Sequence, residues 1–300
     1  MRITDTVLQK NFINNLSFAT ERLYERETKV LTNKRINKPS DSPVDAMTSL
    51  GLRSKLSEID QYQRNISRSK TRLQSSETVI SQLNEIYQRL HTLTVQGASD
   101  SYGPQDKMSI AAEVNQLLEQ VFNFSNNRSE STFTFSGTNS DVAPYIAERN
   151  ANGDIINVTT AGSAGDILAL MGENITMKVN INGHELFEEG ENLFNIPIKI
   201  RDSLIANDSD EIRVQLGKMN EAMEKIINNQ AVIGARTNRL DAAESRTVND
   251  EITFSEFLSN IEDIDAAEAI MDYQLELLTL QSSLQAGSRL LFPKLSDFLK

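Results

Sequence analysis

Residues 59–90 read IDQYQRNISRSKTRLQSSETVISQLNEIYQRL. Two positions repeat every seven residues. Ile59, Ile66, Leu73, Ile80 and Tyr87 hold one, and Tyr62, Ser69, Ser76, Leu83 and Leu90 hold the other. A seven-residue apolar repeat puts a single stripe on an α-helix and asks for a helical partner along it. Ser69 and Ser76 are small enough to let a neighbouring helix come close.

Upstream, Ser42, Pro43 and Asp45 form a helix start: a residue suited to N-cap, a proline at the first helical position and a carboxylate facing the helix dipole. Gly97 to Gly103 breaks the pattern downstream. A helix from Pro43 to about Gly97 is roughly 80 Å long at 1.5 Å per residue, which is a rod element and not the interior of a compact enzyme.

Before the rod, Leu16, Leu23 and Val30 step by seven, with Phe12 and Ala19 on the same stripe, so a first helix is expected over about 5–32. It stops at Asn33-Lys-Arg-Ile-Asn-Lys-Pro39, since proline cannot continue a helix. After the rod, Pro104 opens a shorter helix to about Asn126, with Ile110, Val114, Leu117, Leu118 and Val121 on one side. Thr132-Phe-Thr-Phe135 alternates, as do Ile175, Met177, Val179 and Ile181, and Asn152-Gly153 and Asn182-Gly183 are tight-turn signals. A small antiparallel β domain is therefore expected at 132–196. Helix is expected again after Asn207, with Asp208 and Glu211 as a capping pair. One heptad register is expected from Leu216 to Gln285, weakened at Glu244 to Glu251 as a hinge. In the last forty residues Ala266, Ala269, Ile270, Leu277, Leu280 and Leu284 widen the apolar face beyond a two-helix seam, which implies contacts with other subunits.

The expected fold class is mainly α: a long antiparallel helical rod or bundle formed by both chain ends, with a small inserted antiparallel β domain. The expected domains are terminal coiled-coil arms at 1–40 and 255–300, a helical rod at 41–131 and 197–254, and the β insertion at 132–196.

Composition supports this. The chain has 300 residues, 12 Phe, 6 Tyr and no Trp, which is thin for one large globule and adequate for long packed helices. There is no Cys, so disulfides, thiolate metal sites and Cys nucleophiles are excluded. The net charge of −12 argues against nucleic acid as a partner. Residues 1–73 carry 14 Lys+Arg against 8 Asp+Glu, whereas the last fifty carry 3 against 9, so a basic N-terminal arm and an acidic C-terminal arm attract each other. No apolar run approaches the ~20 residues of a membrane span. The N-terminus lacks the apolar core of a cleaved signal peptide.

Chemistry is not in view. His91 and His184 have no second histidine at a metal-ligand spacing. The acidic run 185–191 lacks the calcium-loop pattern, and Gly162-Ser-Ala-Gly165 lacks the Lys-Ser/Thr ending of a phosphate loop. No catalytic residue, metal site or cofactor is expected, and the chain is not read as an enzyme.

Thr32-Asn-Lys-Arg-Ile-Asn-Lys-Pro-Ser-Asp-Ser-Pro-Val-Asp-Ala46 resembles the turn of bacterial flagellins and their relatives. Its Arg-Ile-Asn and Pro-Ser-Asp-x-Pro elements resemble the hook-associated protein 3 family, the hook–filament junction proteins, more closely than flagellins proper. Leu93-Thr-Val-Gln-Gly-Ala98 followed by Ile110-Ala-Ala-Glu-Val-Asn115, Phe133-Thr-Phe-Ser-Gly-Thr138, and Ile233-Gly-Ala-Arg-Thr-Asn-Arg-Leu240 follow in the family's order. The ending Leu290 to Leu299 is similar loosely, and Phe292-Pro293 departs from it.

The resemblance covers 1–145 and 210–300. It implies a structural component of the bacterial flagellum that joins the hook to the filament; a flagellin filament subunit is the alternative. It implies export without a cleaved signal peptide, an extracellular place on the flagellum, and as partners a ring of identical subunits, the first hook-associated protein, flagellin and an export chaperone. Neither nucleic acid nor membrane is implied. The residues expected at the assembly interface are Phe12, Leu16, Leu23 and Val30 on one arm, and Met271, Leu275, Leu278, Leu284 and Leu290 on the other. The arms are expected to be poorly ordered in the free monomer and to order on assembly.

Overall fold

The computed structural model describes residues 5–99, 101–129, 132–162 and 164–291. The chain forms two compact units, Met1–Glu58 with Asn249–Lys300, and Ile59–Val248. Three helices lead: α1 (Asp5–Thr32), α2 (Pro43–Gly97) and α3 (Pro104–Ser125). Six short strands follow: β1 (Arg128–Ser129), β2 (Thr132–Phe133), β3 (Tyr145–Arg149), β4 (Ile155–Thr160), β5 (Leu168–Gly172) and β6 (Ile175–Lys178). A π-helical turn, His184–Glu188, leads to α4 (Asn195–Ala206), α5 (Ser209–Glu262) and α6 (Ala266–Leu291).

In the larger unit the heptad of α2 is the buried stripe. Ile59, Ile66, Leu73, Ile80, Tyr87, Leu83 and Leu90 are buried, as are Ser69 and Ser76. The two serines donate to their own helix, to the Asn65 and Arg72 carbonyls at 2.6 and 3.1 Å, so burying them leaves no donor unpaired. The stripe shares one core with Val114 and Val121 of α3 and with Met219, Ile226, Ile233 and Leu240 of α5. Each such side chain contributes about 1.5–3 kcal/mol of burial.

The β insertion is mainly antiparallel as expected, in the form of three separate two-stranded hairpins. They draw on the helical core: Phe135, Tyr145, Phe187 and Phe194 pack ring to ring at 5.0–5.4 Å and join the α2 cluster. The Tyr87 hydroxyl donates to the Leu193 carbonyl, tying this cluster to α2. Asn152-Gly153 turns β3 into β4, with the Asn150 side chain accepting from the Asn152 and Asp154 amides at 2.9 Å.

Three expectations are corrected. Asn182-Gly183 is not a hairpin turn. The Asn182 side chain accepts from the His184 amide at 3.0 Å and starts the π-helical turn, and Gly183 is there for close approach. A Cβ on Gly183 would lie 2.7 Å from the Phe135 carbonyl oxygen. Second, helix returns before Asn207. Pro197 sits in the first turn of α4, where a missing N–H costs nothing, and the Asn192 side chain accepts from the Phe194 and Asn195 amides. Third, α5 runs unbroken through Glu244 to Glu251, because Lys70 satisfies Glu244 at 2.8 Å and Asp241 at 2.7 Å. The break falls instead at 263–265. There Asp265 caps α6 by accepting from the Ala267 and Glu268 amides at 2.8 and 3.3 Å.

Candidate assembly interface

The smaller unit pairs α1 with α6 in antiparallel fashion. The contacts run in opposite order along the two helices: Phe12 against Gly287, Arg22 with Glu276 at 2.9 Å, Arg26 with Asp272 at 2.9 Å, and Lys34 bridged to Asp263. The basic arm meets the acidic arm side by side. These exposed ion pairs set register and contribute little stability each. The apolar contact is tighter. A Cβ on Gly287 would lie 1.9 Å from the Phe12 ring, so any larger residue there makes the ring move.

The break at 263–265 changes which face of the C-terminal helix turns inward. On α6, Ala269 and Gly287 are buried, with Tyr273, Leu277 and Leu280 half-buried between them. The heptad carried on from α5 lands on the opposite side. Met271, Leu275 and Leu278, at i, i+4 and i+7, are 63%, 65% and 59% exposed, and Leu284 is also exposed. The one-register expectation therefore fails at the break. On α1, Phe12, Leu16, Leu23 and Val30 are half-buried on the stripe that carries buried Ala19 and the Phe12 contact. Ile13, Tyr24 and Leu31 lie on an exposed stripe of α1 that the sequence reading did not select. The side chain of Leu290, and Phe292-Pro293 with the rest of 292–300, lie outside the described residues. Rows of large apolar side chains at helical spacing on a water-exposed face mark a surface for a partner.

Where the arms begin, the structure places a charged lock that the sequence reading missed. Glu262, the last residue of α5, is buried. Arg53 donates to both of its carboxylate oxygens, Nε at 2.8 Å and Nη2 at 2.6 Å. Lys34 and the Ser49 hydroxyl donate to it as well. Its backbone carbonyl accepts from the Arg35 amide at 2.6 Å, and the Arg35 guanidinium covers the Ile261 carbonyl at 2.8 Å. Arg35 also reaches Asp45 at 3.1 Å. The Arg53 hydrogen bonds, helped by Lys34 and Ser49 and opposed by burial, hold the Glu262 carboxyl at about 2. Within the 32–46 turn, Asp41 accepts from the Asn37 and Lys38 amides at 2.9 Å each, which lowers its pKa. The turn between α1 and α2 thus grips the break between α5 and α6. Its signal in the sequence was a Lys-Arg pair, and 228 residues after Lys34 an acidic Glu262-Asp263 pair at the end of a long helix.

Among the described residues no group of three or more His, Cys, Asp or Glu could hold a metal ion, and His184 pairs with Glu188 at 2.9 Å. Among the described residues no helix is long and apolar enough to cross a membrane.

Two chain ends closing on each other as paired helices around an inserted middle define the flagellin-like class of helical subunits. The chain matches the bacterial flagellin N-terminal helical region over residues 3–140 and the bacterial flagellin C-terminal helical region over 216–291, more than two thirds of its length together. It belongs to the flagellin-related family that includes hook-associated protein 3. It is 21% identical to flagellar hook-associated protein 3 of Escherichia coli, over 90% of this chain and 96% of that protein. It is 25% identical to the flagellar filament 33 kDa core protein of Treponema phagedenis, over 85% and 83%. Among solved structures it shares its fold with flagellar hook-associated protein 3 of Legionella pneumophila, at a TM-score of 0.63 and 14% identity, over 70% of this chain and 98% of that one.

Proposed function

We propose that this chain is the hook–filament junction protein of a bacterial flagellum, a structural subunit and not an enzyme. The observation that carries this is the paired arm with an unpartnered apolar row, Met271, Leu275, Leu278 and Leu284, in a chain related along its length to hook-associated protein 3. In this reading the arms at 1–40 and 255–300 face the inner tube, the helices at 41–131 and 197–254 form the rod, and the insertion at 132–196 lies outward. Phe12, Leu16, Leu23 and Val30 hold the arms together, and the α6 row, with Leu290, packs on neighbouring copies. Burying four such side chains at about 1.5 kcal/mol or more each offsets the ordering of marginal helices.

The subunits form a ring, bound to the first hook-associated protein on one side and to flagellin on the other. The chain reaches the cell exterior through flagellar export, without a cleaved signal, escorted by a chaperone. A filament subunit is the second reading, favoured by the similarity to the Treponema core protein. The Arg-Ile-Asn and Pro-Ser-Asp-x-Pro turn favours the junction. Mixing the protein with isolated hooks that end in the first hook-associated protein separates the two. Junction subunits saturate each tip at a small fixed number and then admit flagellin; filament subunits keep adding.

A further inference from the structure

The larger unit holds a polar cavity of about 320 Å³ between α2 and the β1–β2 hairpin. Arg68, Arg72 and Ser75 line it at i, i+4 and i+7, one face of α2, with Ser67 beside them and Ser129 and Thr134 across from them. No carboxylate lies among the described residues lining it. Arg72 is half-buried there, and its guanidinium has no hydrogen-bond or ion-pair partner among the described residues. Burial alone acts on it, and lowers its pKa. The guanidinium of Arg128 lies over the Phe133 ring, 4.7 Å from its centroid. A half-buried guanidinium without a counter-ion is costly, and two arginines one turn apart repel. Planar guanidinium and flanking hydroxyls match the two oxygens of a carboxylate.

We infer that this cavity is an anion site that receives a carboxylate side chain of a second copy of the chain. The chain carries 42 acidic against 30 basic residues, so a neighbouring copy offers acidic groups in surplus. Glu221 and Glu224 on α5, for example, are exposed and make no ion pair among the described residues. The inference rests on the ring proposed above for its partner and on this unit alone for its chemistry.

The test has two arms. In the first, the free full-length monomer is titrated with sodium acetate and with sodium sulfate while the arginine Nε–Hε NMR signals are followed. Saturable shifts at Arg72 are expected, and Arg72→Gln should weaken binding roughly tenfold or more, the loss of one charge-assisted contact. Ser75→Glu supplies a carboxylate one turn from Arg72 and should abolish binding while keeping the helical circular dichroism. In the second arm, occupancy of hook tips is measured for wild type and both variants. Both variants should lose roughly tenfold in apparent affinity for tips. Absence of saturable binding in the first arm overturns the site. Anion binding with normal tip occupancy of both variants overturns the neighbour as the source, and leaves a site for a free anion. Failure of wild type to occupy tips contradicts the junction reading, and the first arm still decides the site.

Discussion

Glu262→Gln keeps the size of the side chain at the lock and removes its charge. Arg53, Lys34 and Ser49 all converge on this carboxylate. Folding moves its pKa from the usual 4.5 to about 2, chiefly through Arg53. At 1.36 kcal/mol per unit that is about 3 kcal/mol. Arg53 and Lys34 are themselves 51% and 36% exposed, so solvent screens part of this, and about 2 kcal/mol is the expected loss. The carboxylate is more acidic in the folded state, so its contribution is complete above about pH 4.5 and disappears as pH falls toward 2. The assay is hydrogen exchange at the Arg35 amide, which bonds to the Glu262 carbonyl. The variant should exchange roughly 30-fold faster at neutral pH, and the gap between variant and wild type should close near pH 2. A gap under about 0.5 kcal/mol at neutral pH, or one that persists unchanged at pH 2, refutes the lock.

Gly287→Ala forces a methyl into the Phe12 ring and should destabilise the arm pair by about 1–3 kcal/mol; Phe12→Ala in the same chain should recover part of this, read by thermal unfolding of both variants. Leu275→Glu changes an exposed side chain, so monomer stability should stay within about 0.5 kcal/mol while incorporation at hook tips is lost, as pelleting with hooks reports. Tyr87→Phe removes one buried hydrogen bond to Leu193 and leaves its carbonyl unpaired, which should cost about 1–2 kcal/mol in urea unfolding. Circular dichroism before and after tip binding should show a gain in helix if the arms order on assembly; no gain contradicts that step.

Local signals made the long elements readable. Pro43 and Gly97 bound α2 where the caps and breakers stand, and its two heptad positions are the buried stripe. Asp208 accepts from the Glu211 amide at 3.1 Å, as a capping pair should. What escaped was set by distant partners. The apparent weakness at Glu244 disappears because Lys70, 174 residues away, satisfies it. The true break at 263–265 is fixed by Lys34 and Arg35 from the other end of the chain, and it rephases α6 so that Ala269 and Gly287 turn inward and Leu275 outward. Apolar periodicity reports a stripe and not the neighbour that covers it. For that reason the nine candidate residues were legible as apolar helix positions, and the division between those facing α1 or α6 and those facing out was not.

In the junction reading the outward row of α6 packs against other copies at a hook tip. The chain has no cysteine, so Leu278→Cys creates a single thiol on that row. A short bismaleimide added to hook tips loaded with this variant should give crosslinked dimers, the largest product that one thiol per subunit allows, while free monomer at the same concentration stays uncrosslinked. Tip-bound protein that yields no dimer, or dimers formed equally in free solution, would contradict this packing.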